Sequence, residues 1–214
     1  MRGIFILLLV VLTASCGRSD REEIVWNIDN IRELGEHSVT VHGAPKTVEG
    51  KEKEYLEFDG RNDGLLVDAN PVSGMEEFSI EVDFKPYRGF PENREQRFLH
   101  IQDPENENRR ILLELRLNDN GEWYGDWFIK SENESLTLID STRTHPVNEW
   151  YTISMIYSNG NVRGYVNGKE EVSGNFQYLP IGENAKTSIG TRMDQRSWFK
   201  GAIREIRFIS EAGF

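Results

Sequence analysis

The segment RILLELRL, residues 110–117, alternates between two kinds of side chain. Its odd-numbered positions are all aliphatic, whereas its even-numbered positions include Glu114 and Arg116. Because successive side chains of a β-strand point to opposite faces, this period of two predicts a strand with one buried face. Glu114 and Arg116 must then leave the core together, either into solvent or into a binding site.

Alternating segments of the same kind recur along the chain, and only residues 30–34 hint at a helical turn. FSIEVDFKP, residues 78–86, is apolar at every even position and ends at a proline. Asn-Gly pairs at 159–160 and 167–168 separate further alternating runs, and Asn-Gly is a strong signal for a hairpin turn. Many short strands with such turns indicate an antiparallel sandwich or barrel. The residues predicted to face inward are Phe78, Ile80, Val82, Phe84, Ile111, Leu113, Leu115 and Leu117.

Size and charge limit the functional classes. The 214 residues suffice for one domain with a full core, and 37% hydrophobic content is that of a globular protein. The formal net charge is −11, which argues against nucleic acid as a partner, because phosphate binding requires clustered Lys and Arg.

The N-terminus has the pattern of an export signal. A basic start precedes an unbroken apolar run of nine residues, 4–12, and small residues then lead to Cys16, the only cysteine of the chain. Nine residues are too few to span a bilayer, which requires about 20. The pattern resembles a bacterial lipoprotein signal, in which the cysteine is lipidated and becomes the mature N-terminus. An ordinary cleaved signal peptide with a chance cysteine is the alternative.

These boundaries divide the chain into three parts. We expect a signal peptide at residues 1–15, a membrane tether at 16–23 and a single domain at 24–214. Gly17, directly after the cysteine, resembles lipoproteins that are sent to the outer membrane. The predicted location is therefore the bacterial cell envelope, with a lipid anchor at Cys16.

The ordered segments of the domain resemble a known family. The resemblance is carried by LEFDGRNDG at 56–64, FSIEVDFKP at 78–86, EWY at 149–151, YVNG at 165–168 and WFKGAIREIR at 198–207. Together they are similar to the laminin-G-like, concanavalin A-like lectin/glucanase domains over about residues 50–210. The resemblance implies an all-β, concanavalin A-like jelly-roll sandwich of two antiparallel sheets, whose concave face often meets sugars. The fold hosts lectins, glycoside hydrolases, polysaccharide lyases and adhesion modules, so it does not decide the function.

Polar side chains on three successive predicted strands form the main candidate site. By strand parity they share one face, and they are His100, Gln102, Glu114, Arg116, Tyr124 and Asp126. In an enzyme, Glu114, His100 and Tyr124 would be catalytic, since such groups transfer protons in sugar chemistry. Arg116 would neutralise a uronic acid or a sulfate. The sequence Glu114-Leu115-Arg116 resembles a motif of alginate lyases of this fold, although their second motif is reversed here. Cross-strand ion pairs on a solvated face are the alternative.

Three more side chains are candidates for binding sugars. Arg192 and Trp198 lie in a loop before the last strand, where they could grip an acidic group and stack on a ring. His145 lies in a loop before the strand that begins near residue 150. The alternatives are a Trp198 that packs the edge of the sandwich and a His145 in a plain surface turn.

Other chemistry is weakly indicated. No cofactor is required, but Asp59 and Asp63 flank a tight turn at which some related domains hold a structural calcium ion, and oxygen ligands suit that ion. The alternative is that the two aspartates only stabilise the turn and bind no metal. The carboxylates of Glu81 and Asp83 are about 6.6 Å apart on one strand face, and we interpret them as an exposed acidic face. The four histidines lack zinc-ligand spacing, and no GxSxG motif is present.

The sequence thus predicts a lipoprotein that binds a polysaccharide or oligosaccharide, including an anionic one, through the concave face of a jelly roll. A glycoside hydrolase or polysaccharide lyase that uses Glu114, His100 and Tyr124 is the first alternative. An adhesion module with a protein partner is the second.

Overall fold

A computed structural model describes residues 22–89 and 92–210, and these residues form β-strands joined by turns and loops. The predicted signal peptide, Cys16 and most of the predicted tether lie outside the described residues. No helix in the described part of the chain is long and apolar enough to cross a membrane. The strands are β1 (Glu23–Asn27), β2 (Glu33–Leu34), β3 (His37–His42), β4 (Lys46–Val48), β5 (Tyr55–Asp59), β6 (Gly64–Val67), β7 (Phe78–Pro86), β8 (Glu95–Gln102), β9 (Arg109–Leu117), β10 (Trp123–Ser131), β11 (Glu134–Ile139), β12 (Tyr151–Ser158), β13 (Asn161–Val166), β14 (Lys169–Asn175), β15 (Lys186–Ile189) and β16 (Lys200–Ile209).

The strands form two antiparallel sheets, which confirms the predicted all-β, concanavalin A-like sandwich. The first sheet has the order β14-β13-β12-β7-β16-β5-β4, with β1 paired to β16. The second sheet has the order β11-β10-β9-β8-β15-β6-β3-β2. Strands that are neighbours in a sheet but distant in sequence, such as β7 and β16, make the topology largely non-local.

The core lies between the two sheets. The eight residues predicted to face inward on β7 and β9 are all buried, as predicted. The ring of Phe84 from the first sheet stacks on Phe98 of the second, with centroids 4.8 Å apart, and meets Trp123 edge-on at 5.1 Å. Aromatic rings from both sheets therefore hold the layers together.

The two predicted hairpin turns are present. Asn159 and Gly160 have φ values of 51° and 73°, and Asn167 and Gly168 have values of 50° and 74°. A type I′ turn needs positive φ at both central residues, which Asn-Gly tolerates. The turns join β12, β13 and β14 into the expected meander.

Candidate functional site

Strand register places a set of charged side chains on the outer face of the second sheet. Glu114 on β9 lies directly opposite Arg97 on β8 and Asp126 on β10. Arg116 lies opposite Glu95 and Tyr124 in the same way. Residues directly opposite each other in an antiparallel pair share a face, so three adjacent strands supply one polar surface.

A β-bulge in β8 shapes this surface. The register of β8 against β9 shifts between Arg97 and Leu99, and the side chains of Phe98 and Leu99 are both buried. A bulge inserts one extra residue and thereby changes which later residues face outward. In a regular strand, residues three positions apart face opposite sides, so Arg97 would have faced the core if His100 faced outward. The consecutive apolar pair Phe98-Leu99 is the sequence signal that marks the bulge.

The charged face contains a cavity of about 210 Å³, which we name the arginine cavity. It is lined by Arg97, Arg110, Arg116, Arg192, Glu114, Asp126, Leu112, Phe128 and Thr137. Four arginines against two carboxylates leave an excess of positive charge. Two further carboxylates contact these arginines from outside the lining: Glu95 contacts Arg97 and Arg116, and Asp194 lies 3.8 Å from Arg192. The lining itself is basic, in a protein with a net charge of −11.

Two of the arginines are held by buried acids. Arg97 Nε lies 2.9 Å from Glu114 Oε2 as an ion pair, and Arg116 Nε donates to Asp126 Oδ2 over 2.8 Å. Glu95 joins the two pairs, since its carboxylate lies 2.6 Å from Arg116 and 3.2 Å from Arg97. These three acids fix the positions of two guanidinium groups.

The two acids that line the cavity hold protons more tightly than usual. Burial raises the pKa of Glu114 to about 7, against an opposing effect of Arg97 and with a further rise from Asp126. Burial also raises the pKa of Asp126, while its hydrogen bond from Arg116 lowers it. Two neighbouring carboxyls with perturbed pKa values are a feature of functional sites, although structural ion-pair networks show it too.

The other two arginines are not held by buried acids. Within the described residues Arg110 forms no ion pair: its guanidinium lies 5.2 Å from the centre of the Phe128 ring, and Nη1 donates to the carbonyl of Glu107. Its Nε is buried without a hydrogen-bond partner in the described part of the chain. The nearest carboxylate to Arg192 is that of Asp194, at 3.8 Å. Burial, and next the charge of Arg192, lower the pKa of Arg110, so an anion placed between them would relieve repulsion.

His100 lies behind this surface and not in the cavity wall. Its side chain is fully buried, and Nδ1 accepts the backbone N–H of Met193 over 2.9 Å. Burial, and then Arg192, Arg110 and Arg97 in that order, lower the pKa of His100 well below its usual value. His100 is therefore a neutral anchor for the loop that carries Arg192, and it cannot touch a ligand in this arrangement.

The structure brings together only part of the predicted set. Glu114, Arg116, Asp126 and Arg192 line the arginine cavity. Tyr124 and Gln102 share its face by register but do not line it. The sequence pattern did not predict three further residues of the site, Arg97, Arg110 and Glu95.

His145 is placed away from the arginine cavity. Its Nε2 lies 2.9 Å from Glu171 Oε1, and its ring packs on Trp123 with centroids 4.7 Å apart. Trp198 lines a separate, larger cavity together with Glu95 and Ser197.

The other acidic candidates serve in turns and ion pairs. Asp59 Oδ1 accepts three backbone N–H groups of the turn that follows it. Asp63 accepts backbone N–H groups from Ala44 and Asp59. No cluster of three potential metal ligands occurs among the described residues, and calcium at this turn stays a prediction. Asp83 lies on the first sheet, where it accepts from Arg204 over 2.5 Å.

Comparison with known proteins identifies the family. A family model of laminin G type, described as "Concanavalin A-like lectin/glucanases superfamily", matches residues 59–212. The chain belongs to this superfamily. The resemblance seen in the sequence, over about residues 50–210, is thereby confirmed. A search of curated proteins found no match to the chain.

Several solved structures are similar to this chain. Domain 4 of AbnA, a GH43 extracellular arabinanase from Geobacillus stearothermophilus solved with arabinotriose, has a TM-score of 0.60 and 18% identity, covering 89% of this chain and 93% of that one. The binding domain of botulinum neurotoxin DC, solved with SialylT, has a TM-score of 0.65 and 15% identity over 90% of this chain and 48% of that one. A heptameric SAP-like pentraxin from Limulus polyphemus has a TM-score of 0.58 and 12% identity, covering 74% and 76%. At these identities the likeness shows the fold.

Proposed function

We propose that the protein binds an acidic polysaccharide, and that the arginine cavity receives a carboxylate or sulfate of the sugar. The observation that carries the proposal is the pair Arg110 and Arg192, whose charges repel each other and which no buried acid holds. Arg110 forms no ion pair among the described residues, and the ion pair of Arg192 with the half-exposed Asp194 is long, at 3.8 Å. Guanidinium groups bind carboxylate and sulfate through paired, charge-assisted hydrogen bonds. In a partly buried recess the attraction exceeds that in open solvent. Two structural neighbours were solved with arabinotriose and with SialylT, which supports a sugar as the ligand.

The binding experiment compares acidic and neutral polymers on the purified protein. Polygalacturonate, alginate and chondroitin sulfate are the acidic probes, and arabinan and dextran are the neutral ones. We expect at least one acidic polymer to bind, more weakly as salt rises, because ion pairs are screened. Arg110→Ala and Arg192→Ala should each weaken that binding by about tenfold or more, the value of a charge-assisted contact.

Arg207→Ala is the matched control, because it removes the same charge from the outer face of the first sheet, where Arg207 pairs with Glu205. It should leave binding unchanged. Equal losses for Arg207→Ala and Arg110→Ala would show that general charge, and not the cavity, attracts the polymer. Binding to the neutral polymers alone would overturn the proposal.

Catalysis on the same sugar is the second candidate, favoured by the pKa of about 7 at Glu114 beside Asp126. A general acid or base works best with a pKa near the working pH. Hydrolysis would release new reducing ends, and elimination would produce absorbing unsaturated uronate. Glu114→Gln should abolish either product while binding persists. If the wild-type protein forms neither product from a polymer that it binds, the protein is a binding module.

We also propose that the protein is located in the bacterial cell envelope, as the sequence indicates. Lipidation at Cys16 would anchor the protein in the bacterial envelope, at the outer membrane, and would hold the cavity near polymers outside the cytoplasm. An acidic protein segment is the remaining partner class, and competition by polyglutamate in the binding experiment would favour it over a polysaccharide.

A further inference from the structure

A second, larger cavity adjoins the arginine cavity. It has a volume of about 680 Å³, and we name it the tryptophan cavity. It is lined by Gly60, Arg61, Glu92, Asn93, Arg94, Glu95, Ser197 and Trp198. The chemistry proposed for the arginine cavity does not use it.

Two side chains form a common wall between the cavities. Glu95 lines the tryptophan cavity, and its carboxylate contacts Arg116 and Arg97 of the arginine cavity. Ser197 also lines the tryptophan cavity, and its Oγ accepts from Arg97 Nη1 over 2.5 Å. The two cavities are therefore neighbours that these two side chains connect.

The walls of the tryptophan cavity are held in place by hydrogen bonds. The side-chain amide of Asn93 donates to the carbonyls of Gly60 and Trp198, over 3.1 and 2.9 Å. The backbone N–H of Arg97 donates to the carbonyl of Ser197 over 2.9 Å. These bonds join three separate chain segments, so the cavity is preorganised and would lose little entropy on binding.

The linings of the two cavities suit different chemical groups. The tryptophan cavity has two arginines and two glutamates, so its charges balance, and it adds one indole ring. Polar groups that balance in charge suit the hydroxyls of a sugar, and an indole face suits its C–H surface. The arginine cavity is smaller than the roughly 300–1,000 Å³ of typical ligand pockets, which leaves room for a single charged unit, whereas the tryptophan cavity lies within that range.

We propose that the two cavities are adjacent subsites for one chain: the arginine cavity holds an acidic unit, and the tryptophan cavity holds the neighbouring sugar against Trp198. This inference rests on the proposed function. The ligand would then be an oligosaccharide of at least two units. The affinity for ligands longer than one unit would depend on Trp198.

The test titrates the purified protein with an acidic monosaccharide and with the di- and tetrasaccharide cut from the acidic polymer that binds most tightly. Filling the second subsite should raise affinity by about tenfold from one unit to two. Trp198→Ala should weaken tetrasaccharide binding by about fivefold to tenfold and should change monosaccharide binding by less than about twofold. Arg110→Ala should weaken both ligands.

Further variants separate binding from folding. Trp198 also packs edge-on against His42 at 6.4 Å, so Trp198→Phe keeps a ring in place and should retain part of the affinity. Arg94→Ala changes a side chain that is 59% exposed, and it should weaken the tetrasaccharide only. Trp150→Ala is the matched control, since Trp150 stacks with Arg204 of the first sheet and should not affect either ligand.

The outcomes distinguish the two proposals. If no acidic polymer binds, the proposed function fails and this inference fails with it. If an acidic polymer binds but Trp198→Ala and Arg94→Ala hold the tetrasaccharide like wild type, or if one unit binds as tightly as four, the second subsite is refuted and the arginine cavity stands alone.

Discussion

At the scale of single residues, the buried carboxyl of Glu114 should make the stability of the protein depend on pH. The pKa of its carboxyl is raised by burial from the usual 4.5 to about 7. A carboxyl with a raised pKa keeps in the folded chain a proton that the unfolded chain has lost, so its contribution to stability falls as pH rises through this interval. The free energy of unfolding of wild type, relative to Glu114→Gln, should therefore fall by roughly 3 kcal/mol between pH 4.5 and pH 8. Urea denaturation across this pH range measures the difference.

Glu134→Gln provides the control, because it removes an exposed carboxylate on β11. A wild-type to Glu114→Gln difference that stays constant over the range would show that the ion pair with Arg97 keeps Glu114 charged throughout.

Sequence parity predicted the residues of the cavity that lie on regular strand. Glu114, Arg116 and Asp126 follow from alternation in β9 and β10. Arg97 did not, because the bulge at Phe98-Leu99 breaks the alternation. His100 was assigned to the correct face, but the loop that covers it comes from residues about ninety positions later in the chain. No local pattern can indicate such a cover.

At the scale of elements, β7 is the strand whose inward face is fixed most firmly by aromatic contacts. Phe84 is fully buried, and its ring contacts Phe98, Trp123 and Phe199. Phe84→Ala should cost about 3–5 kcal/mol of unfolding free energy, from lost transfer energy and from the cavity left behind. Val25→Ala, at a side chain 40% exposed on β1, should cost less than about 0.5 kcal/mol. Similar losses for the two variants would contradict the assignment of the core.

Of the short-range signals in the sequence, the Asn-Gly pairs predicted the structure correctly and the hint of a helical turn did not. The Asn-Gly turns were predicted correctly, because positive φ at two successive residues leaves few other choices of sequence. The hint of a helical turn at residues 30–34 was wrong. Asn30 Oδ1 accepts the N–H groups of Arg32 and Glu33, as a helix cap would, but the chain then continues into β2. A capping side chain thus indicates a turn, whereas tertiary pairing decides whether a helix or a strand comes after it.

At the scale of the whole molecule, the proposed lipid anchor at Cys16 predicts association with the membrane. Cys16→Ser should release the protein from the membrane fraction without a change in melting temperature, because lipid attachment would be the only hold on the membrane. Fractionation and then immunoblotting measure the distribution. A Ser variant that still sediments with membranes would contradict lipidation at Cys16.

The protein has a formal net charge of −11, yet its arginine cavity is lined by four arginines, and no buried acid holds Arg110 or Arg192. The central claim is that these two arginines bind the acidic group of a sugar. A crystal structure of the protein with a tetrasaccharide from the bound acidic polymer tests this claim most directly. We expect a carboxylate or sulfate oxygen about 2.7–3.2 Å from the guanidinium groups of Arg110 and Arg192. An ordered sugar on the outer face of the first sheet, with no contact to either arginine, would contradict it.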